Sequence, residues 1–378
     1  MLRQTSIEEI LASYNDQAPL SEASTIPAPW YVDSRIAELE NLTVFSKTWQ
    51  VIGRADQVEK PGQFVTATVA GEPIVAVRGT DGRLRAFFNV CRHHAAKVVT
   101  EPCGIASILH CPYHGWNYGL DGSLKGMPEF DGVKNFERQE NGLVPVKVET
   151  WEAFIFVNLD AQAEPLADFL GALAKRCAPL GLSNLNFFDR KVYDIACNWK
   201  VYVDNYLDGG YHVPHLHKGL SSVLDYKQYT IENEDRYCLQ SSPMVASDED
   251  ADTGATRKGD RARYFWQYPN FMINCYEGYM DTNLVIPIDV DHCRVVFDFY
   301  FSDISESRRE YNAQSIAVGD RVQDEDLGIC EDVQRGLKSR AYGAGRLSVR
   351  REAGEQLFHR LLAADLKAGV PHTAVAAD

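Results

Sequence analysis

The sequence contains no apolar run near the roughly 20 residues that a membrane-spanning helix needs. Its opening stretch, MLRQTSIEEILASYNDQ, has no basic head followed by an apolar segment, so a cytoplasmic protein is the expectation. Basic charge is also scarce. The 38 Lys and Arg against 53 Asp and Glu leave a formal net charge of −15, which provides no basic stripe for a phosphate backbone and repels an anionic membrane. Neither nucleic acid nor a membrane is expected as a partner. The nine cysteines are odd in number and scattered over 378 residues, which argues against a secreted disulfide framework and leaves thiols for metal work. A dinucleotide glycine fingerprint is missing, as is a separate nucleotide-binding βαβ half. There is no internal repeat and no low-complexity tract.

With 45% hydrophobic and 24% charged residues, the chain can bury one large core or two moderate ones. Residues 1–47 read as an N-terminal helical segment, expected to pack on the larger domain. Residues 48–150 carry short alternating segments joined by Asp-Gly hairpin signals at Asp81-Gly82 and Asp121-Gly122, which predicts a small all-β module. Residues 151–378 mix helical text with two strand-like runs, YFWQYPNFMINCYEGY and NLVIPIDVDHCRVVFDFYF, rich in aromatic and β-branched residues. Amphipathic helices close the chain, and the acidic stretch ASDEDADTGATRKGDR reads as a loop. The fold class is therefore α+β.

In CRHHAAKVVTEPCGIASILHCPYHGW, Cys91-x-His93 and Cys111-x-x-His114 are separated by 17 residues, each pair at the tip of an expected hairpin. Two Cys and two His suit either a zinc site or a 2Fe–2S centre in which two His replace two Cys on one iron. Zinc sites of this composition usually place the His pair together on a helix. Here each loop supplies one Cys and one His, an arrangement that resembles a Rieske centre. His94 and His110 read as supporting or solvent-facing neighbours, and Cys103 as a small buried hydrophobe.

The stretch LDGGYHVPHLHK holds a second constellation. Asp204, Asp208 and His212 recur at four-residue intervals, which on a helix stacks their side chains along one face. His217 lies about 140° further round a regular helix, where His215 is better spaced; Pro214 can break the helix and swing His217 inward. Spacing leaves both open. An oxygen-binding iron commonly takes two His and one carboxylate, so a distant acid is needed. Asp324, Glu325, Asp326, Glu331 and Asp332 crowd one expected helix beside Leu327, Ile329, Val333 and Leu337.

Taken together, the two Cys/His loops, NWKVYVDNYLDGGYHVPHLH from Asn198, and an acidic helix ending in VQRGL resemble the α subunits of Rieske non-haem iron oxygenases over nearly the whole chain. Within that family, CNWKVYVDNYLDGGYHVP, YPNFMIN, MDTNLV and CEDVQRGL look like segments of the plant choline monooxygenases. The resemblance implies a Rieske 2Fe–2S domain ahead of a helix-grip catalytic domain, an antiparallel sheet plus helices. It makes Cys91, His93, Cys111 and His114 the cluster ligands, and His212, His217 and Asp326 the ligands of a mononuclear Fe(II), with His215 a bystander. Neither ligand loop carries the extra cysteine of respiratory Rieske proteins, which points to the lower-potential oxygenase branch. Asn205 falls where the family often has an active-site asparagine. Many relatives place a bridging carboxylate three residues before the first iron His; this chain has Gly209 there, so the role passes to Asp208 or Asp204.

The family works as a head-to-tail homotrimer in which each cluster faces a neighbour's iron. Lacking a dinucleotide site, the chain is expected to take electrons from a ferredoxin or an NAD(P)H-dependent flavin reductase. The implied reaction uses O2 on a small quaternary or methylated amine, choline to betaine aldehyde being the model. Trp266, Tyr268, Phe271 and Tyr279 are the expected aromatic cage, with Tyr264, Phe265 and Tyr276 in the same run and Asp281 as counter-charge. Hydroxylation or demethylation of another small substrate, such as an aromatic acid, is the alternative chemistry. A Rieske electron carrier or a zinc-stabilised binding protein is the non-enzyme alternative.

Overall fold

The computed structural model describes residues 5–246 and 251–370. The chain divides into two compact units, one of residues 41–169 and the other of residues 1–40 with 170–378.

In the 41–169 unit, β1 (Gln50–Arg54), β2 (Gln63–Val69), β3 (Glu72–Arg78), β4 (Leu84–Phe88) and β5 (Cys103–Ile105) precede three short strands. These are β6 (Leu109–His110), β7 (Asn117–Tyr118) and β8 (Leu124–Gly126), and they are followed by β9 (Pro145–Trp151) and β10 (Phe154–Asn158). One sheet runs β1-β10-β9-β4-β3-β2-β5 and another β6-β7-β8. The expected Asp-Gly turns are present: Gly82 and Gly122 adopt φ of 78° and 82°, a region glycine enters without steric cost. Alternation sorts side chains between two cores. Phe64, Val75, Val77 and Phe87 share one with Cys91, Leu109, Cys111 and Trp116, while Val65, Ile74, Ala76 and Ala86 pack with Val146, Ile155 and Val157. Burying each larger apolar side chain contributes about 1.5–3 kcal/mol. The expected end of the module at 150 falls short, because β10 pairs with both β1 and β9. Cys103 is also corrected: it sits exposed on the edge strand β5.

The second unit is built on β11 (Asn186–Ile195), β12 (Thr230–Glu234), β13 (Tyr237–Pro243), β14 (Arg261–Gln267), β15 (Phe271–Tyr276), β16 (Tyr279–Pro287) and β17 (Cys293–Phe301). β12 to β17 meander antiparallel in chain order, and β11 closes the edge beside β17. The helix Trp199–Leu207 lies against β16 and touches two longer helices, Arg309–Leu337 and Ala353–Gly369. This is the α+β arrangement of antiparallel sheet and helices that was expected. Of the acidic stretch expected as a loop, residues 247–250 lie outside the described residues and Ala251–Thr256 is a short helix. Among the described residues no helix is long and apolar enough to cross a membrane.

The Trp199–Leu207 helix is fixed at its start by Asn198, whose side chain accepts from Lys200 N and donates to the carbonyls of Tyr31 and Val290. Residue 200 is a fully buried lysine, and its Nζ meets Glu40 Oε1 at 2.5 Å while Trp199 Nε1 donates to Glu40 Oε2 at 2.8 Å. Glu40 belongs to the N-terminal segment, so one buried ion pair ties that segment to the helix. Removing one partner of such a pair strands a buried charge. Glu40→Gln is therefore expected to cost about 3 kcal/mol or more, read as a lower urea midpoint by circular dichroism; an unchanged midpoint would reject this role.

Candidate metal centres and substrate cavity

The two Cys/His loops are built alike. In the first, Cys91 N donates to Ala96 O and Ala95 N to Cys91 O; in the second, Cys111 N donates to Trp116 O and Gly115 N to Cys111 O. Each turn is closed by a residue with positive φ, Ala95 at 59° and Gly115 at 73°. Both thiols are buried in one core cluster, and Tyr118 OH stands 3.4 Å from Cys91 Sγ. The rings of His93 and His114 have centroids 4.7 Å apart.

His93 Nδ1 is buried without a hydrogen-bond partner. Desolvation, with the nearby imidazoles of His94 and His114, holds the His93 pKa below its ordinary value, so the ring is neutral, the form that binds metal. A neutral orphaned nitrogen next to a second imidazole, with two buried thiols in the core that the same turns share, fits a cluster with mixed Cys and His ligation. His94 lies 4.0 Å from His93, ring to ring, but is exposed. His110 is likewise exposed and hydrogen-bonds Asn117.

The second constellation does not lie on one continuous helix, as the four-residue spacing suggested. The helix ends at Leu207, and Gly209 and Gly210 follow with φ of 69° and 67°. Asp208 turns into that break, accepting from Tyr211 N, His212 N and His212 Nδ1, the last at 2.6 Å. Asp204 stays behind on the helix and binds Tyr31 OH and His359 Nε2. After the break, the short helix Val213–Leu216, with Pro214 in its first turn, carries His217 inward and leaves His215 exposed. The rings of His212 and His217 lie 4.9 Å apart at 84°.

Of the acidic candidates, Asp326 alone is buried, and its Oδ1 stands 3.1 Å from His217 Nε2 and 3.9 Å from His212 Nε2. Glu325 holds His217 Nδ1 at 2.6 Å, and Asn205 Nδ2 donates to Asp326 Oδ1 at 2.9 Å. Asp324, Glu331 and Asp332 take no part in this cluster. Each imidazole thus has Nδ1 fixed by a carboxylate while Nε2 faces a shared acid, an arrangement that orients metal-binding histidines. Burial alone would lower the pKa of His217, but Asp326 and Glu325 outweigh it and raise it. The site favours positive charge, which a divalent cation would satisfy.

Asn205, His212, His217 and Asp326 line a cavity of about 130 Å3. Its aromatic wall is Tyr202, Tyr206, Tyr229, Tyr264, Tyr276 and Phe297, with Asp281 among the polar groups. Asp281 is buried, accepting from Tyr279 OH and Asn274 Nδ2; burial raises its pKa against the opposing pull of Arg257, Asn274 and Tyr279.

The expected cage is largely corrected. Trp266 shares a strand face with Tyr264 but lies two residues further along, where Phe358 covers it. Tyr268 reaches Asp365, and Phe271 falls on the opposite parity from Asn274 and Tyr276. Tyr279 does not line the cavity itself and stands behind two groups that do, Asp281 and Arg257. Sequence reasoning found Asp326 but missed Gly319, Val322 and Gln323 on the same stripe of the long helix, although its three-to-four spacing was readable.

Comparison with known proteins identifies the class. Residues 48–137 match the Rieske [2Fe-2S] domain and residues 182–368 the ring hydroxylating alpha subunit (catalytic domain). The chain belongs to the Rieske non-haem iron oxygenases, and it is a monooxygenase carrying a Rieske 2Fe–2S cluster and a mononuclear iron. It is 37% identical to the chloroplastic choline monooxygenase of Arabidopsis thaliana, over 96% of this chain and 88% of that one. It is 33% identical to the carnitine monooxygenase oxygenase subunit of Escherichia coli, over 90% and 94%. The crystal structure of the quaternary ammonium Rieske monooxygenase CntA with L-carnitine superposes with a TM-score of 0.81 at 30% identity, over 96% and 99%.

A side chain at position 209 would collide with the Arg351 carbonyl oxygen and need a positive φ. A carboxylate side chain has no room at this position. Gly209→Ala is expected to destabilise by about 1–3 kcal/mol through both effects, measured by thermal unfolding; a midpoint within about a degree of the parent would show that the turn is not so constrained.

Proposed function

We propose that the protein oxidises a small quaternary or methylated amine, choline-like, with O2 and externally supplied electrons, as in choline to betaine aldehyde. The observation that carries this is the aromatic cavity opening on His212, His217 and Asp326, with a buried carboxylate in its wall. Each ring face attracts a quaternary ammonium by about 0.5–2 kcal/mol, the larger values requiring desolvation. Relatives named for choline and for carnitine match 96% and 90% of the chain, and both substrates carry such a head group.

In this reading Cys91, His93, Cys111 and His114 hold the cluster, and His212, His217 and Asp326 hold the mononuclear iron. When bound, the two centres supply electron transfer and oxygen activation. The chain's own groups provide position. Asp208 and Glu325 aim the two Nε2 atoms, Asn205 orients Asp326, and the aromatic wall excludes water from the substrate. The contact of Asp208 with His212 supports Asp208 as the group that would link this site to a neighbouring copy's cluster, whereas Asp204 turns toward Tyr31 and His359. A head-to-tail homotrimer would bring the two together, a solution paralleled by the inter-subunit electron transfer reported for CntA. A ferredoxin or a flavin reductase using NAD(P)H completes the chain of electrons.

Oxygen uptake by the reduced protein should be stimulated by trimethylammonium compounds and not by benzoate-type acids; the reverse order would favour the aromatic-acid alternative. His212→Ala is expected to abolish turnover while the cluster's visible spectrum and low-temperature resonance stay intact, and loss of the spectrum would place His212 in the wrong centre. Asp326→Ala should lose the iron of the second site alone, and retained full activity would remove it from the ligand set.

A further inference from the structure

The cavity contains a positive charge that a simple cation does not explain. Arg257 lines it together with His212, His217 and Asp326, and is 6% exposed. Its Nη1 donates to Ser315 Oγ at 2.7 Å, and its Nη2 to Ser315 O at 3.2 Å and Tyr279 OH at 3.5 Å. The guanidinium lies over the rings of Tyr279 and Tyr276, 4.6 and 5.2 Å from their centroids. Every one of these partners is neutral.

No carboxylate of the described residues forms an ion pair with Arg257. Asp281 acts on it at longer range, and the oxygens of Asp281 are already engaged by Tyr279 OH and Asn274 Nδ2, each at 2.7 Å. A guanidinium offers five donors in a flat fork that matches a carboxylate. Burying it without an ionic partner is costly unless a ligand provides one. Space is left for that ligand. Gly319, on the long helix, presents no side chain to the guanidinium, and even a methyl there would sit 3.6 Å from Nη2.

We propose that Arg257 receives the carboxylate of a zwitterionic methylated amine, so that the substrate is betaine-like and carries an acid as well as an ammonium group. This rests on the amine reading of the cavity and sharpens it. The cationic head takes the aromatic wall and the Asp281 side, and the carboxylate takes Arg257. Choline, with a hydroxyl in place of the acid, brings a second positive charge into a cavity that already holds a buried one and leaves the guanidinium unpaired.

The test compares kcat/KM for glycine betaine, γ-butyrobetaine and choline, from oxygen uptake with product quantified, in the holoenzyme, Arg257→Gln and Arg257→Lys. The parent should prefer at least one of the two carboxylated amines over choline. Arg257→Gln should lower that preference by about 30-fold or more, chiefly through KM, and Arg257→Lys should keep part of it because the charge remains. Equilibrium binding of the same three compounds to the unmutated holoenzyme repeats the comparison without any variant. Tighter binding and faster turnover of choline than of both carboxylated amines, or a preference that Arg257→Gln leaves unchanged, overturns the proposal while the amine reading stands. If none of the three binds or is turned over, the amine reading itself falls, and the proposal with it.

Discussion

Two imidazoles can face one carboxylate only if something holds each ring by its other nitrogen, and here Asp208 and Glu325 do so at 2.6 Å each. The rest of the catalytic unit is arranged around that requirement. The Gly209–Gly210 break lets Asp208 double back on His212, the short proline-containing helix brings His217 round, and the long helix delivers Glu325 and Asp326 from more than a hundred residues away. A regular helix through this stretch would keep Asp204 and Asp208 on one face and scatter the two histidines. The glycine turn is therefore the condition for the site.

Packing makes this geometry durable. The buried stripe on Arg309–Leu337 runs through Gln323, Asp326, Cys330 and Gln334, and Gln334 both accepts from Asn198 N and donates to Asp291. The long helix and the Trp199–Leu207 helix are thus pinned to each other at one end, and again where Tyr202 OH meets Gln323. Glu40 holds the second helix from the N-terminal side. In the 41–169 unit the logic is simpler: two turns with the same hydrogen-bond frame present two thiols toward a shared core and two imidazoles beside them.

Much of this was legible from residue types and spacing. The hairpin signals locate the β-module, both Cys/His loops are visible as pairs, and the acidic helix is visible in composition, with Asp326 singled out on it by the family resemblance. What escaped was non-local. The strand Phe154–Asn158 belongs to the β-module because it pairs with β1, about a hundred residues earlier, which no local pattern reports. Asp204 and Asp208 look equivalent at four-residue spacing until two left-handed glycines send them in different directions. Alternation tells which face of a strand an aromatic occupies, yet not where along that face a helix covers it, so Trp266 reads as Tyr264's companion in sequence while Phe358 covers it in the fold. Arg257 was hidden in a stretch whose acidic composition read as a solvated loop.

The central claim is that one polypeptide holds two distinct iron environments, a sulfur-bearing cluster and a separate iron among imidazoles and a carboxylate. Iron and acid-labile sulfide measured on protein reloaded anaerobically with Fe(II) test it directly. The account predicts iron to sulfide of about three to two, the sum of a 2Fe–2S cluster and one further iron. A ratio of one to one, or zinc without sulfide, would contradict it.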